Sequence, residues 1–268
     1  MKLLEFPYDI DYLLDMVRKA GSIVNEIYQR YLNQEIILST NKIDQSPLTE
    51  ADLLSHNYIV TRLREISPEI PVVSEEDQNS FNYRLPTGLF WLIDPLDGTK
   101  EFLSKNGEFT INVGLIRDGR AIFGIVYAPV VGKLYWGGIN LGAFCEKLGV
   151  TSKIFTSQAM PNIPRILISK SHNNNATQEF IKFFGSVEAL SVGSSLKFCM
   201  VAEGLADCYP RLGPTSEWDT AAAQAILEAA GGFVITMHGE ILLYGKPDVI
   251  NPNFVAISNK HISQSFLF

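Results

Sequence analysis

The hydrophobic period of this chain changes twice, and each change limits the architectures it can adopt. From Ile10 the apolar residues fall at Leu13, Leu14, Val17, Val24, Ile27, Tyr28 and Tyr31, the spacing of a long helix with one apolar face. A polar stretch, Asn41 to Pro47, leads to Thr49 and Asp52, whose three-residue spacing reads as a capping box opening a second helix through Ile59, Leu63 and Ile66. Beyond it, Ile70 to Val73, Leu89 to Ile93, Thr110 to Ile116, Arg120 to Tyr127, Lys133 to Trp136 and Ala143 to Cys145 are short apolar or alternating runs, with a hairpin signal at Arg117-Asp118-Gly119. Past residue 150 the pattern alternates. Strands are expected at Arg165 to Ile168, Val187 to Ser191, Asp207 to Tyr209 and Gly232 to Ile235, and helices at Thr177 to Phe184, Ser195 to Glu203 and Trp218 to Ala230. The expected class is α/β: two helices, a mainly antiparallel sheet, then a second α/β layer. The polar, Pro-containing stretch Thr151 to Pro164 divides the chain into halves, 1–150 and 151–268.

Composition removes several functional classes. With 46% hydrophobic residues in 268, the chain can bury a substantial core. Its longest apolar stretch, Ala121 to Val131, is broken by Gly124 and Pro129 and is too short to cross a bilayer, so no transmembrane segment is expected. Met1 to Asp15 lacks the basic start and apolar run of a secretory signal. Cys145, Cys199 and Cys208 are odd in number and have no C-x-x-C spacing, which points to a reducing, cytoplasmic setting. A net charge of −7 disfavours polymeric nucleic acid as a partner. A small phosphorylated ligand remains compatible if metal ions reverse the local field.

The acids fall in three places. In Trp91-Leu92-Ile93-Asp94-Pro95-Leu96-Asp97-Gly98-Thr99-Lys100-Glu101-Phe102, a strand over Phe90 to Ile93 delivers Asp94, Pro95 forces a turn, and Asp97-Gly98-Thr99 opens a helix. Carboxylates so spaced suit hard divalent cations, and Gly98 lets a ligand approach the backbone. In isolation, Asp97 is better explained as a helix N-cap. Glu75-Glu76-Asp77 follows the strand Val72-Val73, a like-charge cluster that is either a solvated loop or compensated by cations. Ser216-Glu217-Trp218-Asp219 opens an Ala-rich helix with Ser and Asp in capping-box spacing, and for Asp52 and Asp219 alone capping is a sufficient account.

Taken together, Glu75-Glu76, Asp94 to Thr99 and Trp218-Asp219 resemble the motifs of the Mg²⁺-dependent, lithium-sensitive inositol monophosphatase superfamily, in order and across nearly the whole chain. Lys100-Glu101-Phe102, Asn106 to Thr110, Ser169-Lys170-Ser171-His172, Gly193 to Cys199 and Tyr209 to Thr215 are similar to its 3'(2'),5'-bisphosphate nucleotidase branch. The resemblance implies a layered α/β/α/β/α sandwich with two or three Mg²⁺ ions between its halves. It puts Glu75, Asp94 and the Leu96 carbonyl on one ion, Asp94, Asp97 and Asp219 on a second, and a third near Glu75. A metal-activated water is the implied nucleophile, with Thr99, oriented by Asp52, accepting its proton and Glu75 or Glu76 sharing that task.

For the substrate, the resemblance points to Glu75, Leu96, Asp97, Gly98, Thr99, Ser169, His172, Gly193, Lys197, Tyr209, Arg211 and Asp219. Within that set, Gly193-Ser194-Ser195 precedes an apolar helix and offers amides and hydroxyls to a phosphate or ribose. Arg211 suits a bidentate phosphate grip. Tyr209 is read equally as a base-stacking ring or a core aromatic. The implied reaction is hydrolysis of 3'-phosphoadenosine 5'-phosphate to AMP and phosphate, with 3'-phosphoadenylyl sulfate as a second substrate. The rival readings are an inositol or sugar phosphate phosphatase with the same metals, and a non-catalytic sensor. Some relatives lie peripherally on the cytoplasmic face of the inner membrane, but neither net charge nor the opening helix supplies an anchor here.

Overall fold

The computed structural model describes residues 8–34, 40–41, 47–48, 50–159, 161–170 and 174–263. Helix α1 (Ile10–Leu32) starts where Asp9 accepts the Tyr12 amide and buries the face expected from its spacing, from Leu13 to Tyr28. Two-residue strands β1 (Thr40–Asn41) and β2 (Pro47–Leu48) pair ahead of α2 (Glu50–Ile66). Thr49, the capping residue expected for α2, lies outside the described residues.

Strands β3 (Val72–Ser74), β4 (Leu89–Asp97), β5 (Thr110–Arg117), β6 (Arg120–Ala128), β7 (Lys133–Gly138), β8 (Gly142–Lys147) and β9 (Val150–Ile154) form one sheet in sequence order. Only the β3–β4 pair in it is parallel. Helix α3 (Thr99–Leu103) branches off the end of β4. The second sheet takes β10 (Arg165–Ser169), β11 (Glu188–Val192), β12 (Cys208–Arg211), β13 (Phe233–Thr236) and β14 (Phe254–Ile257) in the order β11-β10-β12-β14-β13. Helices α4 (Asn175–Lys182), α5 (Leu196–Ala202), α6 (Ala221–Ala229) and α7 (Lys260–Ser263) complete the chain.

Alternation along the strands sorts the layers. In β4, Trp91 and Ile93 face the core shared with α1 and α2, while Phe90 and Leu92 face Trp218, Ala221 and Ala225. In β14, Phe254 and Ala256 join α5 and α6, while Val255 and Ile257 join Phe180 of α4 and Ile262 of α7. The result is α1/α2, sheet, α5/α6, sheet, α4/α7: the α/β/α/β/α sandwich. Helix α6 is buried on every face from Ala221 to Leu227 because it lies between two sheets.

Its seat is a pair of glycines. Gly114 of β5 and Gly124 of β6 are directly paired across the sheet. A Cβ on Gly124 would lie 2.0 Å from the Ala222 carbonyl oxygen, and one on Gly114 would lie 3.1 Å from the Ala222 amide nitrogen. The first turn of α6 therefore rests on bare backbone, just downstream of Asp219.

Three expectations are corrected. Thr151 to Ile154 is the edge strand β9 rather than linker, because it pairs with β8. Pro95 does not end its strand: β4 runs on to Asp97 through a register shift after Asp94, a bulge that tolerates a proline lacking an amide donor. Helix α6 begins at Ala221 rather than Trp218, because Ser216 to Thr220 form a turn tied to residues 249–251. Strand β14, interior to the second sheet, is not among the strands expected from the sequence.

Candidate active site

The carboxyl ends of parallel strands in both sheets open onto one cleft, the usual ligand position in such sheets. β3 ends just before Glu75, β4 carries Asp94, Leu96 and Asp97, β10 ends at Ser169, and β12 ends at Arg211. The cleft holds about 240 Å³ and is also lined by Gly98, Thr99, Lys197, Tyr209 and Asp219. Gly98 has φ +95°, the left-handed conformation that turns the chain from β4 into α3, with Thr99 as the first helical residue.

Carboxylate oxygens of Glu75, Asp94 and Asp219 lie within 4.8 Å of one another, with Asp94 buried and the other two half-buried. Asp94 Oδ1 accepts the Leu96 amide at 3.0 Å, which folds the bulge around the carboxylate. Asp219 Oδ2 accepts the Thr215 hydroxyl at 2.7 Å and the Ser216 amide at 2.9 Å. Three oxygen donors so close repel one another unless cations intervene, and an all-oxygen set fits a hard divalent ion.

Asp97 lines the same cleft but points its Oδ2 at the Ser195 amide, 2.6 Å away, and at the Thr110 hydroxyl, 3.3 Å away. Ser195 Oγ in turn donates to Asn112 Oδ1 at 2.8 Å. Burial pushes the Asp97 carboxyl up from the ordinary carboxylate range, and the Asp219 charge adds to this. Burial likewise pushes the Lys197 ammonium down, opposed by the Asp97 carboxylate.

The remaining expected residues take several positions. Asp52 is buried on α2, one turn before Ser55, whose hydroxyl donates to the Pro95 carbonyl at 2.9 Å. Ser169 lines the cleft. The Gly193 amide donates to Glu108 Oε2 at 2.8 Å rather than opening to the cleft, and a Cβ there would meet Glu101 Cγ at 2.5 Å. Gly193 is thus a close-packing glycine. Lys197 Nζ donates to the Ser194 carbonyl at 2.6 Å and sits 5.2 Å from the centre of the Tyr209 ring. That ring is 4% exposed and packs edge-on to Phe198 and Phe254, so its geometry is that of a core aromatic rather than an open stacking platform. Arg211 donates through Nη2 to the Pro214 carbonyl, and its Nε is buried without a partner among the described residues. His172 lies outside the described residues.

The sequence alone assigned no individual role to Thr110, Asn112 or Glu217. Thr110 and Asn112 were legible as polar residues at alternate positions of the otherwise apolar run Thr-Ile-Asn-Val-Gly-Leu-Ile, where a buried strand has no use for them unless they are hydrogen-bonded. Glu217 had no comparable signal.

The model of the inositol monophosphatase family matches residues 9–266. The chain belongs to this family. It is 42% identical over 246 residues to the 3'(2'),5'-bisphosphate nucleotidase CysQ of Salmonella typhimurium, covering 91% of this chain and 98% of that protein. Its identity to the Haemophilus influenzae protein of the same name is 31%, over 97% of this chain and 96% of that one. Among solved structures, CysQ from Bacteroides thetaiotaomicron superposes with a TM-score of 0.79 at 35% identity, covering 95% of this chain and 99% of that one. Inositol monophosphatase II from Staphylococcus aureus shares the fold, with a TM-score of 0.77 at 20% identity over 96% of this chain and 92% of that one. No helix among the described residues is long and apolar enough to cross a membrane.

Proposed function

We propose that the chain is a metal-dependent 3'(2'),5'-bisphosphate nucleotidase that removes the 3'-phosphate of 3'-phosphoadenosine 5'-phosphate, giving AMP and phosphate, and that it also accepts 3'-phosphoadenylyl sulfate. The observation that carries this reading is the Glu75–Asp94–Asp219 cluster, which opens onto a cleft that continues to the cations Lys197 and Arg211. The identity to the CysQ nucleotidases over nearly the whole chain supports the nucleotide as substrate.

The residues for Mg²⁺, two or three ions per site, are Glu75, Asp94, Asp97, Asp219 and the Leu96 carbonyl, an oxygen set that suits this ion. When bound, such ions acidify an attacking water and neutralise charge growing on the departing ribose oxygen. Thr99 at the start of α3 would take the proton of that water while its own hydroxyl proton passes to the Asp52 carboxylate that orients it, with Glu75 or Glu76 sharing the task. Arg211 and Lys197 bind the second phosphate, Gly98 lets the reacting phosphate approach the backbone, and Ser169 and His172 contact the rest of the substrate. Tyr209 supports Lys197 from beneath, and Gly193 acts through the packing of Glu101. In this reading 1–150 carries most of the metal site, and 151–268 supplies Asp219 and the nucleotide contacts. Three buried free thiols suit a reducing, cytoplasmic compartment.

The test is phosphate release from 3'-phosphoadenosine 5'-phosphate and from myo-inositol 1-phosphate, each with Mg²⁺ and with chelator. Mg²⁺-dependent preference for the nucleotide is expected, and preference for the inositol ester overturns the substrate assignment. Asp94→Asn is expected to fall to the chelator baseline with an unchanged circular dichroism spectrum; normal turnover by that variant refutes the metal assignment.

A further inference from the structure

The carboxylate cluster draws on distant parts of the chain, since Glu75 and Asp94 come from the first sheet and Asp219 from the turn before α6. Something must fix that turn against the first sheet. Directly before Trp218-Asp219 stands Glu217, whose side chain is 0% exposed and does not line the cleft. Its carboxylate accepts four donors: Arg84 Nη1 at 3.0 Å, the Gly245 and Lys246 amides at 3.0 Å each, and the Lys246 ammonium. A buried carboxylate is costly unless it is paired and fully hydrogen-bonded, and this one is both.

Its partners define the strap. Arg84, itself 5% exposed in its side chain, closes the 3₁₀ turn Gln78–Tyr83 that follows Glu75, and it also donates to the Lys246 carbonyl. Arg84 thus ties the segment downstream of Glu75 to the segment carrying Asp219. From the other side Lys246 Nζ reaches Asn251 Oδ1, and Asn251 Nδ2 donates to the Ser216 carbonyl at 2.8 Å and to Thr220 Oγ1 at 3.0 Å. The Asn251 amide donates to the Thr215 carbonyl, and the Glu217 amide to the Val249 carbonyl. Residues on both sides of Asp219 are therefore held from behind, and the hydroxyl of Thr215 passes that constraint directly to Asp219 Oδ2.

We propose that Glu217 is a positioning residue for the metal site: with Arg84 and Lys246 it sets the separation between Asp219 and the Glu75–Asp94 pair, and so the affinity for the divalent ion. This rests on the metal-site reading above. Without the strap, the mutual repulsion of the three carboxylates relaxes the Asp219 turn away from the first sheet, and a bound ion must then pull it back. Groups supporting metal ligands from behind typically contribute 10–100-fold in affinity or activity.

Binding of Mn²⁺ to the full-length protein without substrate, followed by electron paramagnetic resonance, reads this directly. Glu217→Gln and Arg84→Met are each expected to weaken Mn²⁺ at least about tenfold at a temperature where circular dichroism shows them folded. Arg84→Lys, which keeps a cation on Glu217, is expected to lie closer to the parent. The Mg²⁺ concentration for half-maximal turnover should rise in step, with turnover returning toward the parent value at saturating Mg²⁺. A folded Glu217→Gln with lowered melting temperature but unchanged Mn²⁺ affinity overturns the proposal and leaves Glu217 a stability residue. If Glu217→Gln does not fold, Lys246→Met is read instead, since that side chain is 25% exposed and at the rim of the network; unchanged affinity there overturns the proposal equally. A parent protein that binds no Mn²⁺ removes the metal-site reading itself, and the strap's role falls with it.

Discussion

Replacing Gly124 by alanine adds one methyl group, and the structure sets where it must go. The new Cβ would stand 2.0 Å from the Ala222 carbonyl oxygen, 2.6 Å from its carbonyl carbon and 2.7 Å from its Cα. All three are main-chain atoms of α6, so no rotamer change relieves the contact. Ordinary contact begins at 3.4 Å, so either helix or sheet must withdraw by roughly 1.4 Å in an interior packed like a crystal. Overpacking of this kind costs about 1–3 kcal/mol, and backbone on both sides puts this case near the upper end, about 3 kcal/mol. At a urea dependence of about 3 kcal/mol/M the unfolding midpoint should fall by about 1 M. Gly114→Ala meets its nearest atom at 3.1 Å and should cost less, about 1 kcal/mol. Ala222→Gly should not rescue Gly124→Ala, because it leaves the obstructing carbonyl in place. A Gly124→Ala midpoint equivalent to less than about 0.5 kcal/mol from the parent, the range of inert surface substitutions, or a Gly114→Ala that costs more than Gly124→Ala, refutes the glycine seat as the device that sets the height of α6 over the sheet.

Two further outcomes follow from other elements. Asp207 is fully buried and accepts the Arg165 amide, Nε and Nη2 at 2.8, 3.0 and 2.8 Å, so Arg165→Met strands its carboxylate and should destabilise by about 3 kcal/mol in urea unfolding; a neutral effect contradicts the pairing. Burial raises the Glu228 carboxyl above its usual 4.5, opposed by the Gln224 amide at 2.8 Å. An acid raised in the folded state holds its proton there longer than in the unfolded chain, so stability falls as pH rises from 4.5 through the folded value and the penalty stands in full above it. Glu228→Gln, which keeps an acceptor for Gln224, should therefore raise the urea midpoint at pH 7, with the gain closing as pH falls below 4.5; an equal gain at both pH values rejects this account.

Much of the candidate site was legible because its signals are local. Asp94, Asp97 and Thr99 stand within one strand–turn–helix segment, where their spacing and Gly98 are fixed by backbone geometry alone. Thr110 and Asn112 were as readable in principle, since period-2 polarity in an apolar strand demands partners, but nothing local said that the partners are Asp97 and Ser195. Glu217 was not readable at all: an acid two residues before Asp219 looks like any other until Arg84 and Lys246 close on it. Strand β14 was missed for a related reason, since Phe254–Ile257 is a short apolar run whose identity as a strand depends on β12 and β13 flanking it.

The sequence by itself determined the order of most elements, the α/β class and the identities of the acids, because helical and strand periods and turn chemistry act over a few residues. Tertiary structure alone decided that Asp219 meets Glu75 and Asp94, that the Tyr209 ring is packed beneath Lys197, and that the Gly193 amide belongs to Glu108. Those outcomes depend on how closely α6 approaches the first sheet and how the two sheets face each other. That is settled by volume and charge across the whole core, through contacts such as Gly124 on Ala222 that no local pattern encodes.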